Sequence, residues 1–265
     1  MFLDPRNGPS HDLPPPVSGR RTYVIATLPR TGSTLLCRLL TSTGCVGDPK
    51  EYLNPMQVRD WQLRFGDTPW TRLRHRALVG RLVPLAGRWR WSPDRLARHL
   101  DTIRARRSSP DGWFGLKIHA HHFDAWFTQT GWSVDALLGE ATWVFLTRSD
   151  RVAQAVSWHR ALISGRWSAE QRASLPPLYD RRLIQRRLDA IRDGEQRWER
   201  WFANRRITPL RLEYESVIRS PAAAVAAVLV HLGVPAAPLQ LDALPMTRQA
   251  DALSESWIQR FREGR

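Results

Sequence analysis

The run YVIATLPRTGSTLLCRLL, Tyr23 to Leu40, leaves few folds open to this chain. Tyr23 to Thr27 is short, apolar and β-branched at its centre, the composition of a strand buried on both faces. Ser33 to Thr43 reads as a helix, and Gly44 suits the left-handed cap at its end. Between them lies a tight turn, Arg30-Thr31-Gly32-Ser33-Thr34. Strand, glycine turn and helix in this order open an α/β nucleotide fold. A nucleotide triphosphatase would carry Gly-Lys-Ser/Thr in the turn, and this chain does not.

The pattern recurs downstream. WFGLKIH (Trp113 to His119) and ATWVFLTR (Ala141 to Arg148) read as buried strands, and ITPLRLEYE as a fourth. The third runs directly into SDRVAQAVSWHRAL, a helix that Asp150 is placed to cap. Arg181 to Arg205 forms a long amphipathic helix with Ile184, Leu188, Ile191, Trp198 and Trp201 on its apolar face. SPAAAVAAVLVHLGV starts a helix on Ser-Pro and stops it at Gly233. Strands alternating with helices imply an α/β fold with a mostly parallel, doubly wound sheet. The 265 residues fit one large domain, taken as 22–265, with helical, Arg- and Trp-rich residues 54–109 on the acceptor side. Within them Leu78, Leu82 and Leu85 keep helical spacing. Residues 1–21 are polar and Pro-rich and read as a flexible arm, not an export signal.

No apolar stretch approaches the roughly 18 residues of a membrane span. Cys37 and Cys45 match no zinc spacing, which points to a reduced, cytoplasmic protein. The net charge is +15, and since Lys50 and Lys117 are the only lysines, arginine supplies the rest of the 40 basic residues. Attraction to anionic substrates is one reading; a GC-rich genome writing its surface cations as Arg is another. No zinc-finger, RNP or basic-zipper pattern accompanies the charge, so nucleic acid is not the expected partner.

The loops carry the chemistry. Backbone amides of Thr31 to Thr34 at a helix N-terminus suit an anion, and Arg30, Ser33 and Thr34 add donors. Arg148 at a strand's C-terminal end and Ser157 two turns along the next helix offer a second anion site. Ligands of open α/β sheets gather at the carboxyl ends of strands, so both loops face one crevice. Two phosphate sites fit a nucleotide phosphorylated at both its 3′ and 5′ ends.

With PRTGSTLL, GDPKEYL, GLKIH, RSDRVAQAVSWHRAL and RQADALSESWIQRFR in this order, the chain resembles sulfotransferases that use 3′-phosphoadenosine 5′-phosphosulfate (PAPS), specifically the bacterial trehalose 2-sulfotransferase family. The resemblance spans about Thr22 to Arg262. It implies a P-loop-like fold and a homodimer. It implies that Arg30, Thr31, Gly32, Ser33 and Thr34 hold the 5′-phosphosulfate, that Arg148 and Ser157 hold the 3′-phosphate, and that Arg248 and Gln249 close over the nucleotide. Glu51 matches the family's carboxylate base, for which a raised pKa would serve. Arg30 and Lys117 would stabilise charge on the transferring group, with no metal required. The acceptor would be a hydroxyl of a carbohydrate or glycolipid precursor, trehalose by family.

Two departures stand out. The strand with Lys117 continues to Ile118-His119, where the bacterial enzymes have Met-Trp. Lys-x-His looks like the animal cytosolic sulfotransferases, whose base is the His, so His119 rivals Glu51. The HAHH cluster has no evident fourth ligand for zinc. The acceptor segment matches least; Trp61, Trp70, Trp158 and Trp167 are its candidates for stacking on a sugar. The rival readings are a P-loop small-molecule kinase, which would need an acidic Mg²⁺ ligand, and a non-catalytic nucleotide- or polyanion-binding protein.

Overall fold

A computed structural model describes residues 4–66, 91–165, 167, 178–238 and 251–264. Trp70, the leucines 78, 82 and 85, Arg248 and Gln249 lie outside these residues. The sheet has four parallel strands, β1 (Arg21–Thr27), β2 (Trp113–His119), β3 (Ala141–Thr147) and β4 (Leu210–Glu213), in the order β2-β1-β3-β4. From Thr22 to Thr27 the central strand β1 is buried on both faces, hence its continuous apolar run.

Successive residues point to opposite faces. Tyr23 and Ile25, with Val144 and Leu146, meet helix α1 (Ser33–Ser42) and a helix over Pro221–Leu232. Val24 and Ala26, with Trp143 and Phe145, pack on the opposite side against Trp198 and Phe202 of the long helix Arg181–Arg205. That side also holds α2 (Pro55–Phe65) and α3 (Pro93–Arg107), both in the segment expected to be helical. The chain leaves β1 toward β2 on one side and crosses to β3 on the other. The switch point therefore lies between β1 and β3, where such sheets take their ligands.

Residues 4–12 are docked, not loose. Asp4 pairs with Lys50 at 2.9 Å, and the amide of buried Asn7 donates to Asp60. Arg64 pairs with Asp12, and fully buried Arg107 donates to the carbonyls of Arg6, Gly8 and His11. A buried guanidinium needs acceptors, and a turn-rich segment offers its unpaired carbonyls. Composition identified a polar segment but could not show that arginines far along the chain require it.

Candidate active site

The turn after β1 is bent tightly. Arg30 has φ 65° and Gly32 φ 81°, both left-handed. A Cβ on Gly32 would sit 2.2 Å from the Tyr214 ring, so glycine is needed for space as well as for φ. Gly32 is also the N-cap of α1 and has no side chain with which to cap it. Leu35 and Leu36 N–H turn back to the Gly32 carbonyl, and no side chain caps the amides of Ser33 and Thr34 ahead of them, the kind of helix start that suits an anion. The Thr31 hydroxyl is fully buried, 2.6 Å from that of Thr27, and donates to the Leu28 carbonyl. It stitches the turn together. Ser33 is buried, whereas Thr34 is exposed.

The two expected anion sites meet. Arg30 Nε donates to Ser157 Oγ at 2.9 Å, and Arg30 also donates to the Trp167 carbonyl. Ser157 lies on α4 (Arg151–Ser164), which Asp150 caps by accepting from Ala153 N–H. Arg148 reaches the Arg30 carbonyl at 3.4 Å and lies 4.8 Å from the Tyr214 ring centre. The same face of α4 presents Arg160 and Ser164. With Arg30, Asp251 and Ser254 they line a cleft of about 60 Å³. Arg160 forms a two-pronged pair with Asp251, which caps the C-terminal helix Ala252–Arg262.

The second half of the site is built on β2. Parallel register sets Lys117 beside Ile25 and His119 beside Thr27, at the strand's carboxyl end. The GDPKEYL bend is drawn against the outer edge of β2: Lys50 bridges Leu116, and its carbonyl accepts the Lys117 N–H at 2.9 Å. Gly115 permits this approach, since a Cβ there would lie 2.6 Å from that of Pro49. Glu51 is thereby placed against β2. Its Oε1 is 2.7 Å from Lys117 Nζ and 3.1 Å from His119 Nε2, and its Oε2 accepts from Asn54 Nδ2 at 2.8 Å. Lys117 Nζ also donates to Thr34 Oγ1 at 3.2 Å, so one polar chain links the carboxylate to the anion turn.

This geometry corrects the expected raised pKa. Burial alone would raise the Glu51 pKa, but Lys117 and His119 outweigh it and hold the carboxyl well below its usual range. The carboxylate is ionised, as a base must be, but weakly basic while Lys117 lies on it. Burial drives the neighbouring His121 and His122 down to about 4 and about 3, so both are neutral at pH 7. Among the described residues no group of three or more His, Cys, Asp or Glu side chains is arranged to hold a metal ion. Nor is any described helix long and apolar enough to cross a membrane.

A turn for an anion joined to a held carboxylate calls for comparison with known proteins. The profile of the Stf0 sulphotransferase family matches residues 22–264. The chain belongs to that family. It is therefore a sulfotransferase, and the sulfotransferase fold and activity implied by its motifs stand. A trehalose 2-sulfotransferase of Mycobacterium tuberculosis (strain Erdman) is 27% identical over 91% of this chain and 94% of that protein. Its counterpart in Mycolicibacterium smegmatis is 26% identical with the same coverage. A solved sulfotransferase domain of the Synechococcus PCC 7002 olefin synthase covers 96% of this chain and 90% of that one, at 18% identity and a TM-score of 0.40. That likeness is too loose to add to the argument.

The structure brings Arg30, Arg148 and Ser157 together, and Glu51 with Lys117 and His119. Of the proposed sugar-stacking tryptophans, three lie among the described residues and have different surroundings. Trp61 is buried in the core against Tyr52 and Phe65, Trp158 packs under Arg187, and Trp167 is exposed beside Arg30. Sequence reasoning missed Tyr214, which covers Gly32. Its signal was weak, an aromatic at the end of the fourth strand. It missed Asn54 too, although Glu-x-x-Asn-Pro announces a helix cap three residues beyond the carboxylate.

Proposed function

We propose that this Stf0 sulfotransferase moves the sulfuryl group of PAPS to a hydroxyl of a carbohydrate, with trehalose the first acceptor to test. The observation that carries the reading is the polar chain Glu51–Lys117–Thr34, which sets a carboxylate one side chain away from an uncapped helix N-terminus. Bound PAPS supplies the sulfuryl group and departs as adenosine 3′,5′-bisphosphate. The residues present fit its charges: first-turn amides of α1 and Arg30 for the phosphosulfate, Arg148 and Ser157 for the 3′-phosphate. Tyr214, held between Gly32 and Arg148, shapes the wall between these groups.

In this reading the Lys117 ammonium would turn from Glu51 Oε1 toward the sulfuryl oxygens of the donor. The carboxylate then regains basicity and takes the acceptor hydroxyl's proton as the oxygen bonds to sulfur and the sulfur–oxygen bond to the phosphate breaks. Arg30 and Lys117 offset charge on the leaving phosphate and the sulfuryl oxygens. His119 holds Glu51 Oε1 in place. The relatives' names support a sugar acceptor, and 91% coverage of this chain supports carrying it over. The test is transfer of ³⁵S-sulfate from labelled PAPS to trehalose with chelator present, parent against Glu51→Gln. Labelled trehalose from the parent alone supports the reading; equal labelling by both removes Glu51 as the base.

A further inference from the structure

Asn54 is engaged at both ends of its side chain. Oδ1 accepts the Met56 N–H at 3.0 Å and so caps α2, whose first residue is Pro55. Nδ2 donates to Glu51 Oε2 at 2.8 Å. Its backbone N–H donates to the Glu51 carbonyl at 2.8 Å, closing the turn between the two residues. Asp, Ser or Thr would cap α2 equally well, but none carries an amide N–H₂ for Oε2. The other oxygen, Oε1, is taken by Lys117 and His119. We propose that Asn54 is a positioning residue, fixing Oε2 of Glu51 and tying the orientation of the base to the start of α2.

This rests on the reading of Glu51 as the base. In that case Oε1, bound to the Lys117 ammonium, is the oxygen released when the donor arrives, while Oε2 stays anchored. Asn54 also favours the ionised carboxylate, because it donates to it. Among the described residues, the other titratable groups interacting with Glu51 are Lys117 and His119 of β2, His121 and His122 of the short helix that follows it, and Cys37 of α1. None of them lies on the Oε2 bond.

The decisive variant is Asn54→Asp, which keeps shape and cap but turns a donor toward Oε2 into a second carboxylate. The acid limb of the kcat profile is expected to move up by at least about one pH unit, since two adjacent carboxylates raise one another's pKa. The alkaline plateau should stay within about tenfold of the parent. Asn54→Ser keeps the cap and loses the contact, for a smaller upward move of about half a unit. Profiles for both variants that superimpose on the parent's would overturn the proposal and leave Asn54 a helix cap. The ¹³C carboxyl titration of Glu51, assigned by its disappearance in Glu51→Gln, reads the same clamp without turnover. A midpoint raised in Asn54→Asp supports the clamp; an unchanged midpoint overturns it. Near-normal turnover by Glu51→Gln would instead remove the base reading, a failure separate from either titration result.

Discussion

The two sides of the crevice solve opposite charge problems. On the side of β1 and β3, guanidinium groups rest mainly on neutral oxygens and a ring: Arg30 on Ser157 and the Trp167 carbonyl, Arg148 on the Arg30 carbonyl and beside Tyr214, with the Glu215 carboxylate 4.0 Å away. The uncapped start of α1 lies beside them. On the β2 side a carboxylate is held by an ammonium, an imidazole and an amide. The first side gains from an incoming anion. The second is already satisfied, and in the proposed mechanism Glu51 regains basicity when a cation is drawn off. Lys117 stands on the border, within reach of both Glu51 and Thr34. On the proposed mechanism, the donor side fills before the acceptor side acts.

Variants can break that division of labour. Glu51→Gln should lower kcat by about 10²–10⁴-fold while calorimetry finds bisphosphate affinity within about threefold of the parent. Affinity falling in step with turnover would merge the two sides. Lys117→Ala, on the border, should cost about 10²-fold in kcat; a loss confined to KM would make it a binding group alone. Arg148→Ala should weaken adenosine 3′,5′-bisphosphate by about 10–100-fold and barely touch the 3′-dephospho nucleotide. His119→Asn, which keeps a donor toward Glu51, should cost about tenfold, whereas a loss matching Glu51→Gln would transfer the base to His119.

The smallest effect concerns stability. The Glu51 pKa is depressed on folding, so its contribution is present above about pH 4.5 and fades as pH falls through the lower folded value. Glu51→Gln should therefore lower the melting temperature by a few degrees at pH 7, a contribution of about 1–2 kcal/mol. The gap should narrow toward pH 4. A gap constant with pH would mean that the carboxylate's ion pairs do not stabilise the fold.

Much of the architecture was legible in sequence because its signals are local. β1, β2 and the Arg181–Arg205 helix declare themselves by apolar period, and Gly233 and Asp150 mark helix ends by residue type. Glu51 and Lys117 were named through motif likeness. The contacts that define their state were not legible, because they cross the chain. Lys117 lies 66 positions from Glu51, and the depressed pKa follows from a parallel bridge between the bend and β2. Docking of residues 4–12 likewise depends on Arg64 and Arg107, whose need for acceptors appears only once they are buried. Trp61 shows the converse: a chemistry-bearing residue type that tertiary packing assigns to the core.

The most direct test of a donor side built for a nucleotide phosphorylated at both ends is calorimetric titration with adenosine 3′,5′-bisphosphate, beside ATP–Mg²⁺. The account predicts tight binding of the bisphosphate, unchanged by chelator, and weak binding of ATP–Mg²⁺. Preference for ATP–Mg²⁺ would contradict it, since Arg148 and Ser157 would then have no 3′-phosphate to hold.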